Sequence, residues 1–216
     1  MSRQLFIFDL DGTLVDSVGD LSTAVNVTRS EFGLGPLPVE QVGGYIGDGI
    51  RLLMTRALQD LPGADIDRAV QRQKLHYLAH LCELTRPYAG VLEGVERLRS
   101  NGHLLAVATN KPVDMTEALL SKLQLRSCFD AVFGAGSVPE LKPHPAMLEA
   151  IMAHLGWDRG SSWMVGDNWT DLESGRRAGI RTVMMRYGIG GPGSEKPDLR
   201  FESFKEFVEY FEKEVA

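Results

Sequence analysis

Asp9 and Asp11 close an apolar run, Leu5-Phe6-Ile7-Phe8, and Gly12-Thr13 follows at once. An apolar run of this length ending in a turn signal reads as a buried strand. Alternation along an extended chain puts both carboxylates on the same side, where they repel each other and resist burial. Something cationic has to compensate. The partners for such a site lie far downstream: Thr109 and Asn110 after the apolar run from Leu104, Lys142 between Leu141 and Pro143, and Asp167 after Trp163-Met164-Val165-Gly166. Asp9, Asp11 and Asp167 together make a hard-cation site of the kind Mg2+ takes, through a few carboxylates, waters and phosphate oxygens. Lys142 offers a point charge suited to a phosphate, and the Thr109 hydroxyl and nearby backbone amides offer further donors. In that setting Asp9 could attack phosphorus and form an aspartyl phosphate. Asp11 could protonate the leaving oxygen and later deprotonate water, a role worth ~10²–10⁴-fold.

These residues can meet only if the fold gathers them. After the first strand, Ser17 or Asp16 is expected to cap a helix through about Phe32, and Val39–Gly44 and Ile50–Gln59 read as further helices. Pro62-Gly63 breaks the pattern, and Asp65–Leu84 predicts one long helix. No strand is visible between Asp16 and Thr85, so this stretch reads as an all-helical insert. From Pro87 the pattern alternates: helix 91–100, strand 104–109, helix 113–123, strand 131–133, helix 145–155, strand 162–165, helix 170–178, strand 182–185. A last helix follows Ser203, with Ser203-Phe-Lys-Glu206 as a possible capping box. Alternating strands and helices predict an α/β fold, a doubly wound and mainly parallel sheet covered on both faces. Ligands bind such sheets at the carboxyl ends of the strands. Asp9, Asp11, Thr109, Asn110, Lys142 and Asp167 all fall at those ends.

The chain has 216 residues, 44% of them hydrophobic, enough for one core plus a small inserted domain. A formal net charge of -6 without a basic run argues against nucleic-acid and anionic-membrane partners. Two cysteines far apart, Cys82 and Cys128, do not make a disulfide framework. No run is long and apolar enough to span a bilayer, and Asp9 comes too early for a signal peptide. A cytoplasmic protein acting on a small phosphorylated metabolite, as monomer or homodimer, is the expectation.

Asp9-Leu-Asp11-Gly12-Thr13, Thr109-Asn110, Lys142-Pro143 and Gly166-Asp167 with Asp171 occur in the order of the four motifs of the haloacid dehalogenase superfamily, in its phosphatase branch, which the sequence resembles over essentially its whole length. The resemblance implies Asp9 as nucleophile and Asp11 as acid and base. It implies Mg2+ held by the Asp9 carboxylate, the Asp11 backbone carbonyl and Asp167. Asp171 would orient Lys142 or a metal-bound water. It also implies a core of residues 1–15 and 86–216 and an α-helical cap of residues 16–85, hinged near Val15–Ser17 and Thr85–Tyr88. Within the branch the sequence is similar to the phosphoglycolate phosphatases, through Gly44-Tyr45-Ile46-Gly47-Asp48-Gly49, Arg56-Ala57-Leu58, Thr109-Asn110-Lys111-Pro112 and Lys142-Pro143-His144-Pro145. Gly47, Asp48 and Gly49 would then form a cap loop facing the substrate, where bare backbone can approach closely.

Competing readings are weaker. A phospho-acceptor signalling module also combines an acidic pair, a Thr and a Lys. Here, however, Asp167 comes after the Lys, and a helical insert follows the first strand. A dehalogenase would not need Asp11, a phosphonatase would lack it, and a phosphomutase shares both aspartates. Related caps serve sugar phosphates, nucleotides and pyrophosphate. Gly188-Ile-Gly190-Gly-Pro-Gly193 fits Gly-x-Gly-x-x-Gly, but no helix opens after it, and it reads as a flexible loop. His76 and His80 read as a surface or cap-packing pair rather than a metal site. Cys128 reads as a buried thiol and Trp169 as either entrance or helix-start packing. Arg51 and Lys111 could help bind the substrate, but surface positions are the expectation.

Overall fold

The computed structural model describes residues 3–213. Strand β1 (Leu5–Phe8) is wholly buried. Phe6 and Phe8 join the core cluster on one face of the sheet, and Leu5 and Ile7 join the cluster on the other. Period-two alternation with both faces buried is the signature of a central strand. The Phe face is covered by the final helix, whose Phe207 and Phe211 stack edge-on against Phe6 at 5.3 and 4.7 Å between ring centroids. Such pairs add ~0.5–1.5 kcal/mol beyond the area they bury.

The strands after the insert are β4 (Leu104–Pro112), β5 (Ala131–Ala135), β6 (Ser162–Gly166), β7 (Arg181–Met185) and β8 (Leu199–Phe201). With β1 they form one six-stranded sheet in the order β5-β4-β1-β6-β7-β8. Every pairing is parallel. The order of strands reverses at β1, between β4 and β6, so the ends of these three strands converge on the switch point where open α/β sheets bind ligands. Helices α5 (Val91–Ser100), α6 (Val113–Lys122), α7 (Ala146–Leu155), α8 (Trp169–Ala178) and α9 (Phe204–Lys213) make the crossovers and the outer layers.

Between β1 and β4 the chain forms a two-stranded antiparallel ribbon, β2 (Val15–Asp16) with β3 (Arg86–Pro87). The ribbon brackets four helices: α1 (Val18–Glu31), α2 (Val39–Gly43), α3 (Ile50–Ala57) and α4 (Ile66–Ala79). They have a hydrophobic cluster of their own, built on Val25, Val42, Met54 and Ala57. A second cluster joins Leu21 and Tyr77 to Met115 of α6 and so ties the insert to the sheet-bearing half.

Several boundaries differ from expectation. Helix α4 ends at Ala79 and does not reach Leu84. Asp20 on α1 accepts from the Leu84 and Thr85 amides at 2.8 and 3.0 Å and from the Thr85 hydroxyl at 2.6 Å, which draws these residues out of the helix. Strand β4 runs on to Pro112 rather than ending at Thr109. The edge strand β8 carried no visible period and was not expected. Ser17 precedes α1, but its hydroxyl does not cap the helix: it donates to Asp11 at 2.5 Å. At α9 the Ser203 hydroxyl does accept from the Glu206 amide, whereas Glu206 reaches the Glu202 amide, not that of Ser203. Cys128 is half-buried, not buried. No helix among the described residues is long and apolar enough to cross a membrane.

Candidate active site

The chain end of β1 delivers Asp9, that of β6 delivers Asp167, and α8 delivers Asp171. Carboxylate oxygens of these three buried residues all lie within 4.8 Å of one another. Asp167 packs close because the positive-φ turn at Gly12 has no side chain: a Cβ there would sit 2.3 Å from Asp167 Oδ2. The Asp167 oxygens accept from the Thr13 hydroxyl (2.9 Å) and the Gly190 amide (2.8 Å). Burial first, and then the charges of Asp171 and Asp9, push the Asp167 carboxyl up to about 7. The Gly188–Gly193 segment is therefore neither a nucleotide cradle nor a free loop where it meets Asp167: Gly190 donates to it.

Lys142 offsets part of this charge. Its ammonium is buried, donates to Asp171 Oδ1 and Ala108 O at 2.6 Å each, and stands 2.9 Å from Asp9 Oδ1. Burial opposes the ammonium, but Asp171 and Asp9 outweigh it and the net shift is upward. Asp171 is fully used: its other oxygen accepts from the Asn168 amide at 3.0 Å, in the capping box of α8. Asp9 Oδ1 is different. The nearby ammonium is at ion-pair distance without hydrogen-bond alignment, and the atom is buried with no hydrogen-bond partner. Three close carboxylates with one lysine beside them leave negative charge uncompensated, a set that fits a hard divalent cation bound to oxygen donors.

The cleft above these groups has about 40 Å³ of free space, room for roughly three waters. Asp9, Asp11, Thr109, Asn110 and Lys111 line it from the sheet side; Gly47, Gly49 and Gln73 line it from the insert. Thr109 is buried there, its hydroxyl oxygen accepting from the Lys111 amide at 3.3 Å. Asn110 was expected to hold phosphate. Instead its Nδ2 donates to Gly47 O (3.0 Å) and Lys142 O (2.9 Å), and its Oδ1 accepts from the Lys142 amide (2.9 Å). Both amide protons are spent on clamping the Lys142 loop and the insert loop. Gly47 sits so close to the sheet side that a Cβ would lie 2.7 Å from Asn168 Nδ2. Asp48 turns away and pairs with Arg56 at 2.6 Å.

Lys111 corrects the surface expectation. It is buried, with its ammonium 3.0 Å from both oxygens of Asp11 and 4.4 Å from the centre of the Tyr77 ring. Burial disfavours the charge, Asp11 more than restores it, and the net shift is upward. The missed signal was position: Lys111 follows Thr109 by two residues near the end of β4 and lines the same cleft. Arg51 is at the surface, paired with Asp67. His76 and His80 meet Glu31 and Glu83 at 2.7 and 2.8 Å, not a common metal. Trp169 opens α8 and is partly exposed.

The model of the haloacid dehalogenase-like hydrolase family matches residues 6–185. The chain belongs to this family. Among curated relatives, a phosphoglycolate phosphatase of Haemophilus influenzae is 34% identical over 95% of this chain and 96% of its own length. One of Aquifex aeolicus is 32% identical over 99% of both. A crystal structure from Haemophilus somnus, described as a predicted phosphoglycolate phosphatase, superposes on this hydrolase with a TM-score of 0.91 at 30% identity, covering 97% of this chain and 98% of its own. CbbY of Rhodobacter sphaeroides in complex with phosphate, 22% identical with a TM-score of 0.81 over 95% and 96% of the two chains, shares the fold. This haloacid dehalogenase-like hydrolase is thus similar, over nearly its whole length, to proteins named phosphoglycolate phosphatase.

Proposed function

We propose that this hydrolase cleaves 2-phosphoglycolate with Mg2+ as its metal, through an aspartyl phosphate on Asp9. The observation that carries this reading is the Asp9 carboxylate: it lines a small cleft, keeps one buried oxygen free of hydrogen bonds, and has Lys142 beside it. Asp9 attacks phosphorus as the bond to the leaving oxygen breaks, and Asp11 gives that oxygen a proton. Water then attacks phosphorus, the Asp9–phosphorus bond breaks, and Asp11 takes the proton of the water. Lys111 occupies both oxygens of Asp11, so each transfer requires the ammonium to yield one of them. Lys142, oriented by Asp171, and the Thr109 hydroxyl hold phosphoryl oxygens. The Asp9 and Asp167 carboxylates and the Asp11 backbone carbonyl would hold the Mg2+, which supplies charge neutralisation for the phosphoryl group.

On this reading residues 16–85 are a cap over a core of residues 1–15 and 86–216, in a cytoplasmic enzyme. The Gly47–Gly49 loop excludes water when it meets Asn110 and Asn168. The cleft suits a short leaving group, and the names of the relatives favour glycolate. A phosphate-release screen tests this. With Mg2+, 2-phosphoglycolate should turn over faster than sugar phosphates, nucleotides and pyrophosphate; equal rates across the panel overturn the substrate. Transfer between sugar hydroxyls without phosphate release would indicate a mutase.

A further inference from the structure

The part of the cleft that α4 contributes is chemically unfinished. Gln73 has no exposed surface, lines the same cleft as Asp9, Asp11 and Lys111, and neither its Oε1 nor its Nε2 has a hydrogen-bond partner. One turn later on the same face, the ring of the buried Tyr77 carries the Lys111 ammonium. Buried amides without partners are rare because the lost hydration is not repaid. The neighbouring cleft residues Leu53, Ile50 and Met115 are apolar, so a Leu or Met at position 73 would pack at least as well. A packing role does not explain the amide; a ligand that completes it does.

We propose that Gln73 is a specificity-determining residue that binds the leaving-group end of the substrate, a short group presenting a carboxylate or hydroxyl oxygen that accepts from Nε2. A hydroxyl can also donate to Oε1, which a carboxylate cannot. This assignment rests on the cleft being the phosphomonoester site, but not on glycolate being the leaving group. It adds a polar reader from the insert to chemistry supplied by the sheet.

A matched two-carbon series tests it: ethyl phosphate, 2-hydroxyethyl phosphate and 2-phosphoglycolate, with Mg2+. Gln73→Leu should lower kcat/KM for the two oxygenated esters by ~10-fold, mainly through KM, and affect ethyl phosphate much less. Its Tm should equal or exceed that of the wild type, because no native hydrogen bond is removed. Gln73→Glu should penalise 2-phosphoglycolate by charge repulsion more than the hydroxyethyl ester, and Gln73→Met repeats the apolar test with an unbranched side chain. Equal losses on all three esters, or none, overturn the proposal, as does a drop in Tm that accompanies uniform loss. Failure of glycolate alone appears separately: the wild type would then favour the hydroxyethyl ester, with the Gln73 effect intact on that arm.

Discussion

Asp167 and Gln73 are equally hidden from solvent, one at the sheet edge and one on the insert, yet their surroundings are opposite. Asp167 is gripped by Thr13 and Gly190 and enclosed by the Gly12 turn; Gln73 has nothing on either amide atom. On the sheet side almost every polar group is held by another: Lys142 by Asp171, Asp11 by Lys111 and Ser17, Asn110 by two backbone carbonyls. That side is preorganised, and the excess negative charge it concentrates is the demand that a metal cation would meet. The insert side leaves hydrogen-bonding capacity open.

The largest test of the contrast is at the nucleophile. Asp9→Asn should cut turnover by at least ~10⁴-fold. It should also raise the Tm of the metal-free protein, since one of three mutually repelling carboxylates is gone; an unchanged rate would remove Asp9 from the chemistry. Next is Lys142→Met. It leaves Asp9 and Asp171 buried without their cation and should destabilise the fold by ~3–5 kcal/mol in denaturant titrations. A neutral result would mean that the sheet side is less tightly determined than its distances imply.

Metal addition comes third. In the metal-free protein Asp167 is raised to about 7. Above that pH its buried charge opposes folding and a cation relieves it; below it a proton competes for the same oxygens. Mg2+ should therefore raise Tm more at about pH 8 than at about pH 6. A pH-independent shift would argue that the ion binds elsewhere. The smallest effect belongs to the outer surface of the insert. There the two-pronged hydrogen bond from Arg72 (2.7 and 2.6 Å), with help from His76, holds the Glu31 carboxyl down at about 2. A lowered carboxyl stabilises above its ordinary value and loses that contribution as pH falls towards about 2. Glu31→Gln should thus lower Tm slightly at neutral pH, by nothing at about pH 2, and leave turnover untouched.

The positions of Asp9, Asp11, Thr109, Lys142 and Asp167 were legible because each depends on local pattern, a buried strand and the turn that ends it. What escaped depends on partners distant in sequence. The apolar spacing of Leu78, Ala79 and Leu81 continues the α4 period, but the backbone turns left-handed at Cys82 and the Asp20 carboxylate, far back on α1, holds Leu84 and Thr85 outside the helix. Lys111 looked like a surface residue because charged side chains are rarely buried unless paired, and its pair Asp11 is on another strand end. The clamp made by Asn110 was not legible either, since it runs to a backbone carbonyl of the insert. Gln73 offered no signal at all: one amide in a polar helix means nothing until its neighbours are known.

The ribbon of Val15–Asp16 with Arg86–Pro87 has an evolutionary reading. The chain leaves the sheet-bearing half and returns to it at paired residues. Any segment spliced there has to bridge a single strand-to-strand spacing of about 5 Å. The entropy of closing a flexible segment rises by only ~0.6 kcal/mol for each doubling of its length, so replacements of very different size are nearly equivalent to the sheet. Exchange at this one junction would leave the strand ends that carry Asp9 and Asp167 untouched.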